Sequence, residues 1–188
     1  LQRSRRDSGR RAVEWQKWCK CNAGVILSKM EVKTTVDKGI EIYPMQWVAT
    51  DKAVHKRRSK GAKGCAEVPP QLNSRLVGCG NFEDTPGIRT DSPTCDLDGV
   101  NLIICWAAAL GLTLTSADIR NAYFQGKELD RLVLLKPPRG GVPEPGNVAA
   151  MLARVPIYGL KDSGRGFYKE LREVILSTGC TSCKYCLL

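Results

Sequence analysis

Ser116-Ala117-Asp118-Ile119-Arg120-Asn121-Ala122-Tyr123-Phe124-Gln125-Gly126 is the stretch on which the reading of this chain turns. Just before and within it, Leu112, Leu114, Ser116 and Asp118 share one parity, so a strand here would project the apolar residues and the carboxylate on the same side. A carboxylate at a strand end, with an aromatic five residues later, suits a site that holds Mg²⁺ and a nucleotide sugar together. The plain alternative is a turn or cap residue.

Working outward, Asp91-Ser92-Pro93-Thr94 offers turn and cap residues ahead of Val100, Ile103, Ile104, Ala107 and Leu110, a helical stripe closed by Gly111. Cys105 lies inside that stretch, where a cysteine is expected to act as a small buried hydrophobe. Further upstream, residues 41–50 are aromatic and β-branched and predict a strand, with Pro44 at its start or edge. Leu72 to Gly80 alternates like a second strand. The basic stretch from Lys52 to Lys63, with Lys56, Arg57 and Arg58, then reads as the long tip of a β-hairpin. Residues 1–20 hold seven basic and two acidic side chains and read as a basic arm running into a short amphipathic helix with Trp15 and Trp18. Downstream, Lys136-Pro137-Pro138-Arg139-Gly140-Gly141 forms a loop. Phe167, Leu171, Val174 and Ile175 mark a second amphipathic helix, stopped by Gly179.

The 188 residues, 43% of them apolar, suit one ordinary hydrophobic core. Lysine and arginine total 29 against 19 acidic residues, a formal charge of +10, which favours a polyanionic partner such as nucleic acid. The longest nearly unbroken apolar stretch, Leu102 to Leu114, is far short of the roughly 20 residues a membrane-spanning helix needs, so no membrane partner is expected. The opening residues lack the apolar core of a signal peptide, and without an initiating Met the chain reads as cut from something longer and intracellular, in cytoplasm or nucleus. Nine cysteines at irregular spacing, an odd number, are expected to be mostly reduced. Cys180-x-x-Cys183-x-x-Cys186 is the one cluster resembling a metal site, one thiolate short of a closed zinc site.

Taken in order, Trp47-Val48, Ser74-Arg75-Leu76-Val77, Thr90-Asp91-Ser92-Pro93-Thr94, Ala117-Asp118-Ile119, Ala122-Tyr123-Phe124-Gln125-Gly126, Lys136-Pro137-Pro138 and Tyr158-Gly159-Leu160-Lys161 with Arg165 resemble the reverse transcriptase region of copia-type retrotransposon Pol polyproteins. The resemblance covers roughly residues 12–179. It implies an RNA-directed DNA polymerase that binds deoxynucleoside triphosphates and a primed RNA or DNA template. Asp118 matches the first metal-binding aspartate of the polymerase palm, and the Ile119 carbonyl a further ligand to one of two Mg²⁺ ions. Tyr123 matches the aromatic under the incoming sugar, and Arg75 the fingers region whose basic residues hold the triphosphate. Lys56, Arg57, Arg58 and Arg165 would meet template or phosphate, and Asp162 stands where many members carry a nucleotide-contacting glutamine.

The resemblance implies an α+β fold, with a basic arm and short helix over 1–40, a fingers-like hairpin region over 41–111 and a partial palm over 112–188, an antiparallel sheet with helices on one face. Three departures bear on activity. Asn73 replaces the usual lysine, Asp162 replaces the glutamine, and from Cys180 the sequence diverges and stops before the Tyr-x-Asp-Asp hairpin that carries the remaining catalytic carboxylates. The chain by itself is therefore expected to be inactive and to need the remainder of the Pol polyprotein. The other readings are a catalytically inactive, basic nucleic-acid-binding remnant of a decayed element and a thiolate metal module on Cys180, Cys183 and Cys186.

Overall fold

The computed structural model describes residues 2–54, 69, 71–84, 86–146 and 148–181. Lys56, Arg57, Arg58, Cys183 and Cys186 lie outside the described residues. Helix α1 (Gln2–Lys20) starts inside the expected basic arm instead of after it. Arginine, glutamine and alanine are good helix formers, and Lys17 and Lys20 in its last turn complement the helix dipole. Trp15 and Trp18, one turn apart, both point into the core, so this segment is part of the fold's interior.

Strand β1 (Gly24–Leu27) and helix α2 (Lys29–Asp37) follow. A capping box starts α2: Glu31 N–H donates to Ser28 Oγ at 3.3 Å, and Ser28 N–H donates to Glu31 Oε2 at 2.7 Å. The expected hairpin is β2 (Ile42–Asp51) and β3 (Leu72–Gly78), paired antiparallel from Met45 opposite Gly78 to Asp51 opposite Leu72. Strands β4 (Val133–Lys136) and β5 (Ala150–Ala153) complete a five-stranded sheet in the order β1-β5-β4-β2-β3. Among the described residues only β2 and β4 pair in parallel. Val133, Leu134 and Leu135 of central β4 are all buried, the unbroken apolar run of a strand covered on both faces.

One core gathers Trp15, Trp18, Tyr43, Met45, Leu76, Phe124, Leu135, Met151, Ile157 and Leu160, so it draws on 1–40, 41–111 and 112–188 alike. Trp18 meets Phe124 edge-on, with ring centroids 5.4 Å apart.

Helix α3 (Leu97–Ala109) is capped by Asp96, whose Oδ1 accepts from Gly99 N–H at 2.6 Å, so the cap lies two residues beyond the 91–94 cluster. It ends in a Schellman turn: Gly111 has φ +63, and Leu112 N–H donates to the Ala107 carbonyl at 2.8 Å. Three expectations fail here. The apolar stripe does not face the core: Leu102 and Trp106 are 69% and 66% exposed, Val100, Ile103, Ile104 and Leu110 are exposed too, and Ala107 alone is buried. Cys105, carried by the same helix, is exposed instead of buried. Residues 112–119 form no strand and are exposed throughout. Parity supplies a direction for side chains but no ladder partner, and the sheet closes without this segment.

A 3-10 turn (Ala122–Gln125) leads towards β4, and helix α4 (Ser163–Ser177) follows β5, ending at Gly179 with φ +89. No helix among the described residues is long and apolar enough to cross a membrane.

Candidate functional site

A cleft of about 870 Å³ opens between the C-terminal half of α1, strand β3, the 118–123 segment and α4. Arg75 lines it together with Asp118, Ile119 and Tyr123 of one contiguous stretch more than 40 residues further along the chain.

Each is placed by its element. Arg75 sits on β3 between buried Ser74 and Leu76, so strand alternation turns it outward into the cleft. Tyr123 rides on the 3-10 turn, which Phe124 anchors in the core and Gln125 Nε2 ties to the Arg120 carbonyl at 2.6 Å. Asp118 and Ile119 lie in the exposed, irregular approach to that turn. The walls also carry Lys17, Lys20, Lys52 and Arg120, making five cations with Arg75 against the carboxylates of Glu14 and Asp118. Glu14 is paired with Lys17 at 2.9 Å.

An aromatic floor runs under these groups. Tyr123 and Tyr158 have ring centroids 4.7 Å apart, and Phe167 closes on Tyr123 at 6.4 Å. The Arg75 guanidinium lies 4.9 Å from the centroid of the Tyr158 ring, a cation–π contact. Burial pushes the Tyr158 hydroxyl above the usual tyrosine range, with Arg75 acting the other way. The Tyr158 turn is fastened to the hairpin: Gly78 N–H donates to the Tyr158 carbonyl at 2.9 Å, and Gly80 N–H to the Gly159 carbonyl at 3.1 Å. In the sequence Tyr158 stands out only within the run Tyr158-Gly159-Leu160-Lys161, and no periodicity marks it as a cleft residue.

Asp162 and Arg165 are not among the residues lining this cleft; both line a separate hollow of about 500 Å³. Arg131 binds Asp162 through Nε and a terminal nitrogen at 2.8 and 2.9 Å, and reaches Glu83 Oε1 at 3.0 Å. Those two carboxylates push the Arg131 guanidinium further above its usual range. Lys161 N–H also donates to Glu83 Oε2, at 3.0 Å. Arg165 donates to Asp91 Oδ2 at 2.6 Å, while Arg89 grips the same carboxylate through two nitrogens at 2.9 and 2.8 Å. Hydrogen bonding from Arg89 holds the Asp91 carboxyl below its ordinary range. Asp162 and Arg165 thus tie α4 to the segments before it.

As for metal, the Asp118 carboxylate and the Ile119 carbonyl offer hard oxygen donors. They suit one Mg²⁺ that keeps its waters and takes phosphate oxygens. A pair of ions needs further carboxylates. Among the described residues no three His, Cys, Asp or Glu side chains converge as a metal-binding group. The carboxylates that a two-ion site needs are thus not brought together among the described residues.

The comparisons with known proteins give a class first. The chain is similar to retrovirus-related Pol polyproteins of plant transposons, which supports a retrotransposon Pol origin. Over 112 residues it is 30% identical to "Retrovirus-related Pol polyprotein from transposon RE2" and 29% identical to the corresponding polyprotein from transposon RE1, both of Arabidopsis thaliana. The matched stretch is 58% of this chain and spans about 8% of each relative's length. No protein-family model matches the chain. No solved structure matches it either.

Proposed function

We propose that this chain carries the nucleotide-binding part of a copia-type RNA-directed DNA polymerase, with the cleft at Asp118 as the seat of a deoxynucleoside triphosphate beside a primed template. The observation that carries the reading is that Arg75 of β3 meets the 118–123 segment, with Asp118, Ile119 and Tyr123, on one cleft. The similarity to retrotransposon Pol polyproteins supports it independently. The fingers-and-palm assignment of the fold belongs to the same proposal.

In this reading the forked Arg75 guanidinium grips phosphate oxygens, and Tyr123 offers its ring to the sugar, excluding a 2′-hydroxyl by contact. Asp118 and the Ile119 carbonyl hold Mg²⁺, which when bound neutralises phosphate charge. The test is equilibrium binding of dATP with Mg²⁺ and with EDTA. Mg²⁺ is expected to tighten binding about tenfold, the equivalent of roughly 1.4 kcal/mol, and Asp118→Asn to remove that gain. A metal effect that survives Asp118→Asn sinks the assignment.

A second reading, a basic nucleic-acid-binding remnant without catalysis, is favoured by the excess of cations on the cleft wall and by the lack, among the described residues, of a cluster of three metal-ligating side chains. It predicts salt-sensitive, sequence-tolerant binding. Replacing Lys17, Lys20 and Lys52 together by Gln should flatten the slope of log affinity against log salt by about 2 to 3 on an RNA–DNA duplex, close to one per phosphate contact. An unchanged slope rules out this wall as the phosphate contact.

A further inference from the structure

The geometry points to Tyr158 as a positioning residue: its ring, which both Arg75 and Tyr123 contact, sets the spacing between the phosphate-gripping cation and the sugar-facing aromatic. The inference rests on the polymerase reading of the cleft and adds to it a residue that touches no substrate itself.

Arg75 and Tyr123 come from different parts of the fold, a hairpin strand and a 3-10 turn, so their separation is not fixed by any local element. Both meet the same ring, Arg75 at 4.9 Å and Tyr123 at 4.7 Å between centroids. The Tyr158 backbone is tied to the strand that carries Arg75, because its carbonyl accepts from Gly78 N–H. Phe124, the core residue next to Tyr123, meets Tyr158 edge-on at 5.7 Å. Tyr158 is therefore fastened to both elements at once. A long arginine side chain has many rotamers, and a stacked plane removes most of that freedom before a ligand arrives. The planar guanidinium is suited to this, whereas an ammonium is not.

The consequence is coupling between two contacts to one ligand. Removing the ring frees Arg75 and loosens Tyr123, so triphosphate affinity and discrimination against the 2′-hydroxyl fall together. Direct damage to either contact alone does not link the two.

The experiment titrates the full chain with Mg²⁺–dATP and Mg²⁺–ATP. Tyr158→Leu is expected to weaken dATP binding about tenfold and to narrow the dATP-over-ATP preference, while Tyr158→Phe, which keeps the ring, stays within about twofold of wild type. In an Arg75→Ala background the same Tyr158→Leu change should cost less than about twofold, because there is no guanidinium left to align. Where Tyr158→Leu does not fold, Arg75→Lys gives the contrast from the other side, keeping the charge and losing the stacked plane. A readout that needs no ligand is NMR of the wild type, in which the Arg75 δ-methylene protons should lie upfield under the Tyr158 ring.

Independent, multiplying effects of the two substitutions, no rescue by Tyr158→Phe, or unshifted Arg75 protons each overturn the inference and leave the polymerase reading standing. A wild-type chain that binds no Mg²⁺–dATP overturns both.

Discussion

Arg131→Met should lower the free energy of unfolding by about 3 kcal/mol, near the lower end of the roughly 3–5 kcal/mol cost of removing one partner from a buried ion pair. The side chains involved are largely out of solvent: Glu83 is 0% exposed, Asp162 16% and Arg131 20%. Removing the guanidinium leaves the Glu83 charge buried, with only the Lys161 backbone N–H still donating to its Oε2, and that remaining bond keeps the loss near the lower end. The cluster also joins three separate stretches, the one after β3, the one before β4 and the start of α4. Urea unfolding followed by circular dichroism reads the loss, and Glu83→Gln with Asp162→Asn in the same chain should recover most of it. A loss below about 1 kcal/mol for Arg131→Met would mean the pair is solvated like a surface bridge.

Gly159→Ala is expected to cost on the order of 3 kcal/mol or more, through two causes that a control separates. Its φ of +94 disfavours any L side chain, and a Cβ placed there would lie 2.1 Å from the Gly78 carbonyl oxygen, a backbone atom on β3. Gly140 has φ +86 and nothing within 4 Å of its would-be Cβ. Gly140→Ala therefore carries the conformational strain alone, roughly 1–2 kcal/mol. Thermal melts of the two variants give the difference directly, and equal losses would refute the close approach. Because the same turn seats Tyr158, Gly159→Ala should also weaken Mg²⁺–dATP binding, while Gly140→Ala should not.

These two positions show why parts of the fold were legible and parts were not. The hairpin was readable because residues 41–50 and 72–80 favour extended backbone in their own right and a long polar tip separates them. The ends of α3 and α4 were readable because Gly111 and Gly179 adopt positive φ, which the residue type itself permits. The capping box Ser28-x-x-Glu31 is equally visible as a sequence pattern. Strands β1, β4 and β5 have four residues each, too short for periodicity to register, and they exist because they pair with one another.

The 112–119 segment failed in the opposite direction. Its parity was genuine, but a strand is made by a partner, and none of the five strands takes it in. The apolar stripe of α3 was also read correctly as a stripe, and its burial was not a property of the helix to give.

Local chemistry thus determined, from the sequence alone, the hairpin, the helix stops and the basic character of the chain, whereas the nucleotide roles of Arg75, Asp118 and Tyr123 are what the resemblance to copia-type reverse transcriptases implies. Tertiary structure alone decided that Arg75 shares a cleft with Asp118 and Tyr123, that Asp162 and Arg165 turn away into ion pairs with Arg131 and Asp91, and that Tyr158 contacts both Arg75 and Tyr123. The division follows from range. Propensity and capping act over a few residues and are written in the chain, whereas pairing across β2–β3, contact across the core and the meeting of charges arise between groups far apart in sequence, which only the folded backbone brings together.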